Sequence, residues 1–181
     1  MSETLARYRK LADDLTARVE AVPPGAWNNQ SPCDEWTALD VMDHVIGNAR
    51  ASVNRLDGVE HEERKVTDAP AEWAAARAGV EAALADPTRA GTVIDGPMGP
   101  MPFEVLVGRF QCMDMLIHTW DLARATGGDE NVDARAAAGA LEGLKPLGDV
   151  LRSPGVFGPA IEPPPGADPV TELMCFVGRK V

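Results

Sequence analysis

Two histidines and an aspartate, His44, Asp114 and His118, are the residues of this chain best suited to chemistry. Asp114 and His118 stand four apart in Asp114-Met115-Leu116-Ile117-His118-Thr119-Trp120-Asp121, which reads as a helix apolar over most of its circumference. At that spacing a carboxylate and an imidazole stack on one helical face. Groups this polar are rarely left inside a protein without a partner, and a divalent cation is a partner both can share. His44, on a separate predicted helix, is the natural third ligand. Two neutral imidazoles and one carboxylate leave at least one coordination position open, the pattern of catalytic rather than structural zinc. The same donors placed facially suit non-haem iron, and nickel accepts them too. An open metal can polarise a carbonyl or lower the pKa of a bound water or thiol.

A plainer account fits the same residues: an ion pair between Asp114 and His118, or a core histidine satisfied by a neighbour. On its own helix His44 neighbours Asp40, Gly47, Asn48 and Ala51, off the centre of the stripe Leu39, Met42, Val45, Ile46, Ala49 and Val53. That position suits the lip of a cleft or a half-exposed surface. At 100° per residue, His118 shares its arc with Gln111, Asp114, Asp121 and Leu122. Asp121, Asp40 and Gln111 are therefore candidates for orienting a ligand from behind, Asp40 being equally readable as a solvated residue. His61 lies in a charged run and is expected in solvent. Cys33, beside Pro32, reads either as a reactive loop thiol or as an inert small hydrophobe. No GxSxG, P-loop or dinucleotide fingerprint is present.

The elements that must position these residues are helices. Leu5, Tyr8, Leu11, Leu15 and Val19 predict a first helix over about 2–21, stopped by Pro23-Pro24-Gly25. Thr37, with Asp40 three residues on, predicts the start of a second helix that ends at Asp57-Gly58. A third, alanine-rich helix follows Pro70 and stops near Asp86-Pro87. Residues 91–102 carry turn chemistry and predict a short hairpin. A fourth helix is expected over 103–126, ended by Gly127-Gly128, and a fifth over 133–151. Six prolines between Pro154 and Pro169 exclude helix there, and residues 173–177 predict a last short helix. The expectation is an all-α chain of one domain, 1–181, with its core over about 2–152 and a Pro-rich arm over 153–181.

Bulk composition narrows the function. The chain has 181 residues, enough for a real core, and a net charge of −11 from 17 Lys+Arg against 28 Asp+Glu. That balance disfavours nucleic acid and anionic membranes as partners, since both bind through clustered basic residues. Three scattered cysteines and no CxxC pair predict neither a disulfide framework nor a thiolate zinc knuckle. The reading is a reducing, cytoplasmic setting.

Ser31-Pro32-Cys33-Asp34-Glu35-Trp36-Thr37, followed by Asp40-Val41-Met42-Asp43-His44-Val45, resembles the entry motif of DinB-like proteins related to mycothiol-dependent maleylpyruvate isomerase. The stretch from His118 to Gly127 is similar to the same group's second signature, and Phe157-Gly158-Pro159 with Gly178-Arg179 also fits. The resemblance implies a DinB-like four-helix bundle holding a divalent metal, usually zinc or nickel, on His44, Asp114 and His118. Where the isomerase has a glutamate this sequence has Asp114, one methylene shorter. The isomerase also carries a separate C-terminal domain, so maleylpyruvate isomerisation itself is not expected here. What the resemblance implies is an actinobacterial setting with mycothiol as a cosubstrate: a metal-dependent S-transferase, or an isomerase working through a thiol adduct, with a small thiol or electrophile as partner. The alternatives are a non-catalytic metal-binding module and a structural or oligomerising bundle, monomer or homodimer.

Overall fold

The computed structural model describes residues 2–153 and 156–181; Pro154, the first proline of the expected arm, lies outside them. The chain is mostly helical, with one small two-stranded sheet. Helix α1 (Glu3–Glu20) is capped by the Ser2 side chain and buries Leu5, Tyr8, Leu11, Leu15 and Val19, the stripe its periodicity predicts. Helix α2 (Ala38–Leu56) begins at Thr37 with a complete capping box: Thr37 Oγ1 accepts from Asp40 N, and the Asp40 carboxylate accepts from Thr37 N. Helix α3 (Ala69–Ala85) is capped by Asp68, and a short α4 (Pro87–Gly91), which periodicity did not predict, is capped by Asp86. Strands β1 (Val93–Gly96) and β2 (Gly99–Pro102) then pair antiparallel, Val93 opposite Pro102 and Gly96 opposite Gly99, as the expected hairpin.

The expected fourth helix is interrupted. α5 (Phe103–Leu106) runs into a π-helical segment, Val107–Gln111, before α6 (Cys112–Thr126) begins. The widened turn has a local partner: Arg7 Nη2 donates to Gly108 O at 2.9 Å. A Cβ at Gly108 would lie 2.7 Å from that same Nη2, so the approach depends on glycine. α6 ends at Gly127, whose φ of 70° is the left-handed conformation glycine takes at a helix end.

The expected fifth helix also stops early. α7 (Ala134–Leu144) gives way to a 3₁₀ segment, Lys145–Arg152, because Pro146 has no N–H to continue the ladder and Gly148 leaves helical φ/ψ. The last helix is longer than expected, α8 (Pro169–Phe176), capped by Asp168 with Pro169 opening its first turn. α1 and α2 each pack on both α3 and α6, and α7 packs on α6 and α8. One continuous apolar core joins all of them, with Tyr8, Met42, Ile46, Trp73, Phe103, Met115, Ile117 and Leu173 among its buried side chains. No helix among the described residues is long and apolar enough to cross a membrane.

Candidate metal centre

Helix α2 brings His44 to its site almost two turns beyond its capping box, and α6 brings Asp114 and His118 on one face. His44 Nε2 lies 3.0 Å from Asp114 Oδ1, and His118 Nε2 lies 3.3 Å from the same oxygen. The three ligand atoms all fall within 4.8 Å of one another. Exposure is graded across the group: 32% for the His44 side chain, 23% for Asp114 and 5% for His118. The cluster thus opens on the His44 side and is closed behind His118. Trp36 forms one wall, its ring centroid 5.0 Å from that of His44 and 5.9 Å from that of His118.

Hydrogen placement shows what the cluster lacks. His118 Nδ1 stands 2.9 Å from Asp121 Oδ2, so in the neutral ring the proton sits on Nδ1 and donates to Asp121. The Nε2 lone pair then faces the Asp114 carboxylate, which repels it. Asn48 Nδ2 approaches both His44 Nε2 at 3.0 Å and Asp114 Oδ2 at 3.3 Å. If His44 Nε2 carries a proton it satisfies Asp114 but meets the Asn48 N–H head-on; if not, its lone pair faces the carboxylate. Turning the Asn48 amide over sets its oxygen against Asp114 instead. At least one imidazole lone pair and one carboxylate charge converge, and a positive charge among them, from an extra proton or a cation, relieves the repulsion.

The donor set fits a divalent cation. Bonds of 2.0–2.2 Å at angles between octahedral and tetrahedral place neighbouring ligand atoms about 2.8–3.6 Å apart, a range that includes both measured separations. Without a metal, the charges arrange themselves as a salt-bridged triad. Burial alone would raise the Asp114 carboxyl, but the His118 and His44 rings hold it far below the usual carboxylate range. Burial likewise opposes charge on His118, but the Asp114 carboxylate outweighs it and pushes the ring well above its ordinary value.

The residues expected behind the ligands take three different parts. Asp121 is fully buried and touches His118, where the spacing put it. Gln111 is one step removed: its Nε2 donates to Asn48 O at 3.2 Å, bracing the residue that contacts His44 and Asp114. Asp40 is committed elsewhere, to Thr37 at the start of α2 and to Lys65 Nζ at 3.1 Å. His61 is half-buried against Asn54, away from the cluster.

Two further residues join the centre. Arg179 donates from Nε to Asp121 Oδ1 at 3.1 Å and from Nη2 to Asp121 Oδ2 at 2.8 Å, and its Nη2 also reaches Cys33 Sγ at 2.9 Å. Cys33 Sγ in turn lies 3.3 Å from Asp121 Oδ2. Cys33, Asp121 and His118 form a second group with metal-ligating atoms, sharing His118 with the first, but here the guanidinium already supplies the cation. Behind Asp114 is a cavity of about 10 Å³, room for at most a single water. It is lined by Tyr8 and Gln111, whose Oη and Oε1 are buried without a hydrogen-bond partner among the described residues. A larger hollow of about 230 Å³ lies between α1 and α3, lined by Thr16, Trp73 and Arg77 among others, away from the ligand cluster.

The model of the mycothiol maleylpyruvate isomerase N-terminal domain matches residues 8–123, the span that holds His44, Asp114 and His118. The chain belongs to this family. The mycothiol maleylpyruvate isomerase N-terminal domain family is DinB-like, and the resemblance read from the two motifs is therefore correct. Two uncharacterized proteins of Mycobacterium tuberculosis, from strains CDC 1551 / Oshkosh and H37Rv, are each 30% identical over 182 residues, covering 99% of this chain and 99% of their own length. No solved structure matches the chain.

Proposed function

We propose that this protein is a DinB-like metalloprotein, a single domain built on a four-helix bundle of α1, α2, α3 and α6. In this reading His44, Asp114 and His118 hold one divalent ion, zinc before nickel or iron, and a low-molecular-weight thiol such as mycothiol is the cosubstrate of an S-transfer or isomerisation. The observation that carries it is the convergence of two imidazole nitrogens on one carboxylate oxygen at 3.0 and 3.3 Å, the donor set and spacing of a divalent cation. A divalent ion held there would supply Lewis acidity and lower the pKa of a thiol brought against it.

The chain's own residues supply the rest. His44 and Asp114, on the exposed side, leave a face through which a small molecule reaches the centre, and the Trp36 ring walls that face. Asp121 fixes the His118 tautomer so that Nε2 points outward as a ligand. Asn48 holds the Asp114 oxygen remote from the two rings. The thiol is the finer part of the proposal; it rests on family membership and on the open face.

Elemental analysis of protein purified without a metal-affinity tag tests the centre. The expected result is one equivalent of divalent metal in the wild type and a small fraction of that in His118→Ala. Metal at the same level in both proteins would end this reading. Product formation from mycothiol and a panel of electrophiles, compared with the metal-stripped protein, tests the chemistry. Tightly held metal with no rate above background would favour a metal-binding module without catalysis.

A further inference from the structure

The family match ends at residue 123, yet the best-formed ion pair at the centre comes from residue 179. Asp121 is fully buried and Arg179 is 7% exposed. Two parallel N–H donors of one guanidinium meet the two oxygens of one carboxylate, the fork geometry that fixes orientation as well as charge. A buried pair of this kind is weak evidence for stability, since desolvation offsets most of the attraction. Its location is what gives it meaning. The Asp121 oxygen that takes Arg179 Nη2 is the same Oδ2 that receives His118 Nδ1.

The backbone around Arg179 is built to deliver it. α8 ends in a Schellman turn: Gly178 N donates to Cys175 O, and Arg179 N donates to Met174 O at 2.8 Å. Gly178 has φ of 87°, and a Cβ there would lie 3.0 Å from Pro159 O and 3.1 Å from Gly158 C. Only glycine therefore lets the chain turn at this point under the Pro-rich arm. The guanidinium is held at its other end as well, Nη1 donating to Val177 O at 3.0 Å. Cys33 Sγ, from the loop before α2, closes the remaining side at 2.9 Å from Nη2. The guanidinium is thus fixed by Asp121 and Cys33, from two distant parts of the chain, and by the neighbouring Val177 carbonyl.

We infer that Arg179 is a positioning residue of the metal centre: by clamping the Asp121 carboxylate it sets the tautomer and direction of the His118 ring, so the C-terminal segment completes a site whose ligands all lie within the family-matched region. The inference rests on the proposed metal site, and its first readout does not require metal. Without the clamp, the buried Asp121 carboxylate keeps His118 and Cys33 as partners among the described residues, and the fork no longer holds the carboxylate that orients the ring.

The test uses full-length protein as wild type, Arg179→Ala, Arg179→Lys, Asp121→Asn and the Asp121→Asn/Arg179→Ala pair. Nitrogen-15 spectra of the metal-free histidines come first. At a pH above the raised His118 value, the wild type is expected to show the neutral ring protonated on Nδ1 alone, and Arg179→Ala to show a mixture of the two tautomers. Zinc affinity by chelator competition comes second. Arg179→Ala is expected to weaken it about 10–100-fold, the usual effect of removing a group that orients a ligand, with the far-ultraviolet circular dichroism unchanged. Arg179→Lys keeps the charge without the fork and should recover part of the loss; it also takes the place of Arg179→Ala if that variant fails to fold. Within the Asp121→Asn background, Arg179→Ala should cost little more.

Ring-nitrogen shifts and zinc affinity both at wild-type values in Arg179→Ala would overturn the inference. So would a loss of affinity that persists in full once Asp121 is Asn, because Arg179 would then act by another route. A changed His118 ring with unchanged zinc affinity would overturn the link to the metal. A wild type that takes up no zinc would instead sink the proposed function, and the ring spectra would still decide what Arg179 does.

Discussion

One imidazole carries most of the chemistry. His118 turns Nδ1 to Asp121 and Nε2 to Asp114, so in the proposed centre one ring nitrogen would serve orientation and the other ligation. That division has a pH signature. Burial opposes charge on His118, but the Asp114 carboxylate pushes it well above its ordinary value, so the metal-free protein holds a proton where the proposed metal would bind. A raised folded-state value means that the stability gained from protonated His118 is fully present below its unfolded value near 6.5 and is lost as pH rises through the higher folded value. Metal uptake runs the other way, because it must displace that proton. Zinc affinity should therefore keep rising with pH well past 6.5; chelator competition between pH 6 and 9 that levels off near 6.5 would contradict this. At this scale the sequence was partly transparent. Spacing of four and three placed Asp114 and Asp121 on either side of His118 because helical periodicity is local. Arg179 meets Asp121 across 58 residues and Cys33 across 146, and no periodicity links such positions. Gly178-Arg179, which fits the family resemblance, marked Arg179 in the sequence but assigned it no partner.

Among the elements, α2 was read almost to the residue, because its start is written in Thr37 and Asp40 and its end in Asp57-Gly58. The cap matters to function, since it fixes where the helix that carries His44 begins. Thr37→Ala should lower stability by about 1 kcal/mol, seen as a reduced denaturant midpoint at unchanged slope. Acid should act at the same place. Thr37, by side chain and backbone, and then Lys65 hold the Asp40 carboxyl down at about 2. Thr67 N and Arg50 hold Glu72 down to about 2 near the start of α3. Depressed carboxyls contribute stability that is present above their unfolded values, near 4, and lost as pH falls through the folded ones. The Thr37→Ala penalty should accordingly shrink below about pH 4, measured by denaturant titration across that range. Elsewhere the element boundaries were obscured by single residues. Pro146 ends α7 seven residues before the apolar pattern stops, and α4 is too short to have a period at all. Asp40 lay on the right helix near His44, but its carboxylate is used for capping, a short-range bond that outcompetes any reach toward the ring.

For the molecule as a whole, the mostly helical class and the hairpin followed from pattern alone, whereas the path of the C-terminal arm did not. Prolines specify what a segment cannot be and leave open where it goes. Here residues 156–168 lead back so that α8 packs on α7 and Arg179 enters the core. A cation that binds only the folded chain should stabilise all of it, by about 2.7 kcal/mol when its free concentration is 100-fold above Kd. Thermal melts of the stripped protein should shift upward with added zinc, return with chelator, and stay unmoved in His118→Ala. An equal shift in that variant would point to adventitious binding at the surface of a chain whose net charge is −11.

The π turn at Val107–Gln111 has a consequence for how this helix tolerates change. Such a turn absorbs one more residue than an α turn does, so the polypeptide on its two sides obeys two apolar phases offset by a single position. Upstream, Phe103 and Leu106 face inward in one phase; downstream, Met115 and Ile117 do so in the other. Forcing the segment into regular α-helix without removing a residue would swing one side about 100° against the other. The core could keep the hairpin or the face of Asp114 and His118 in place, but not both.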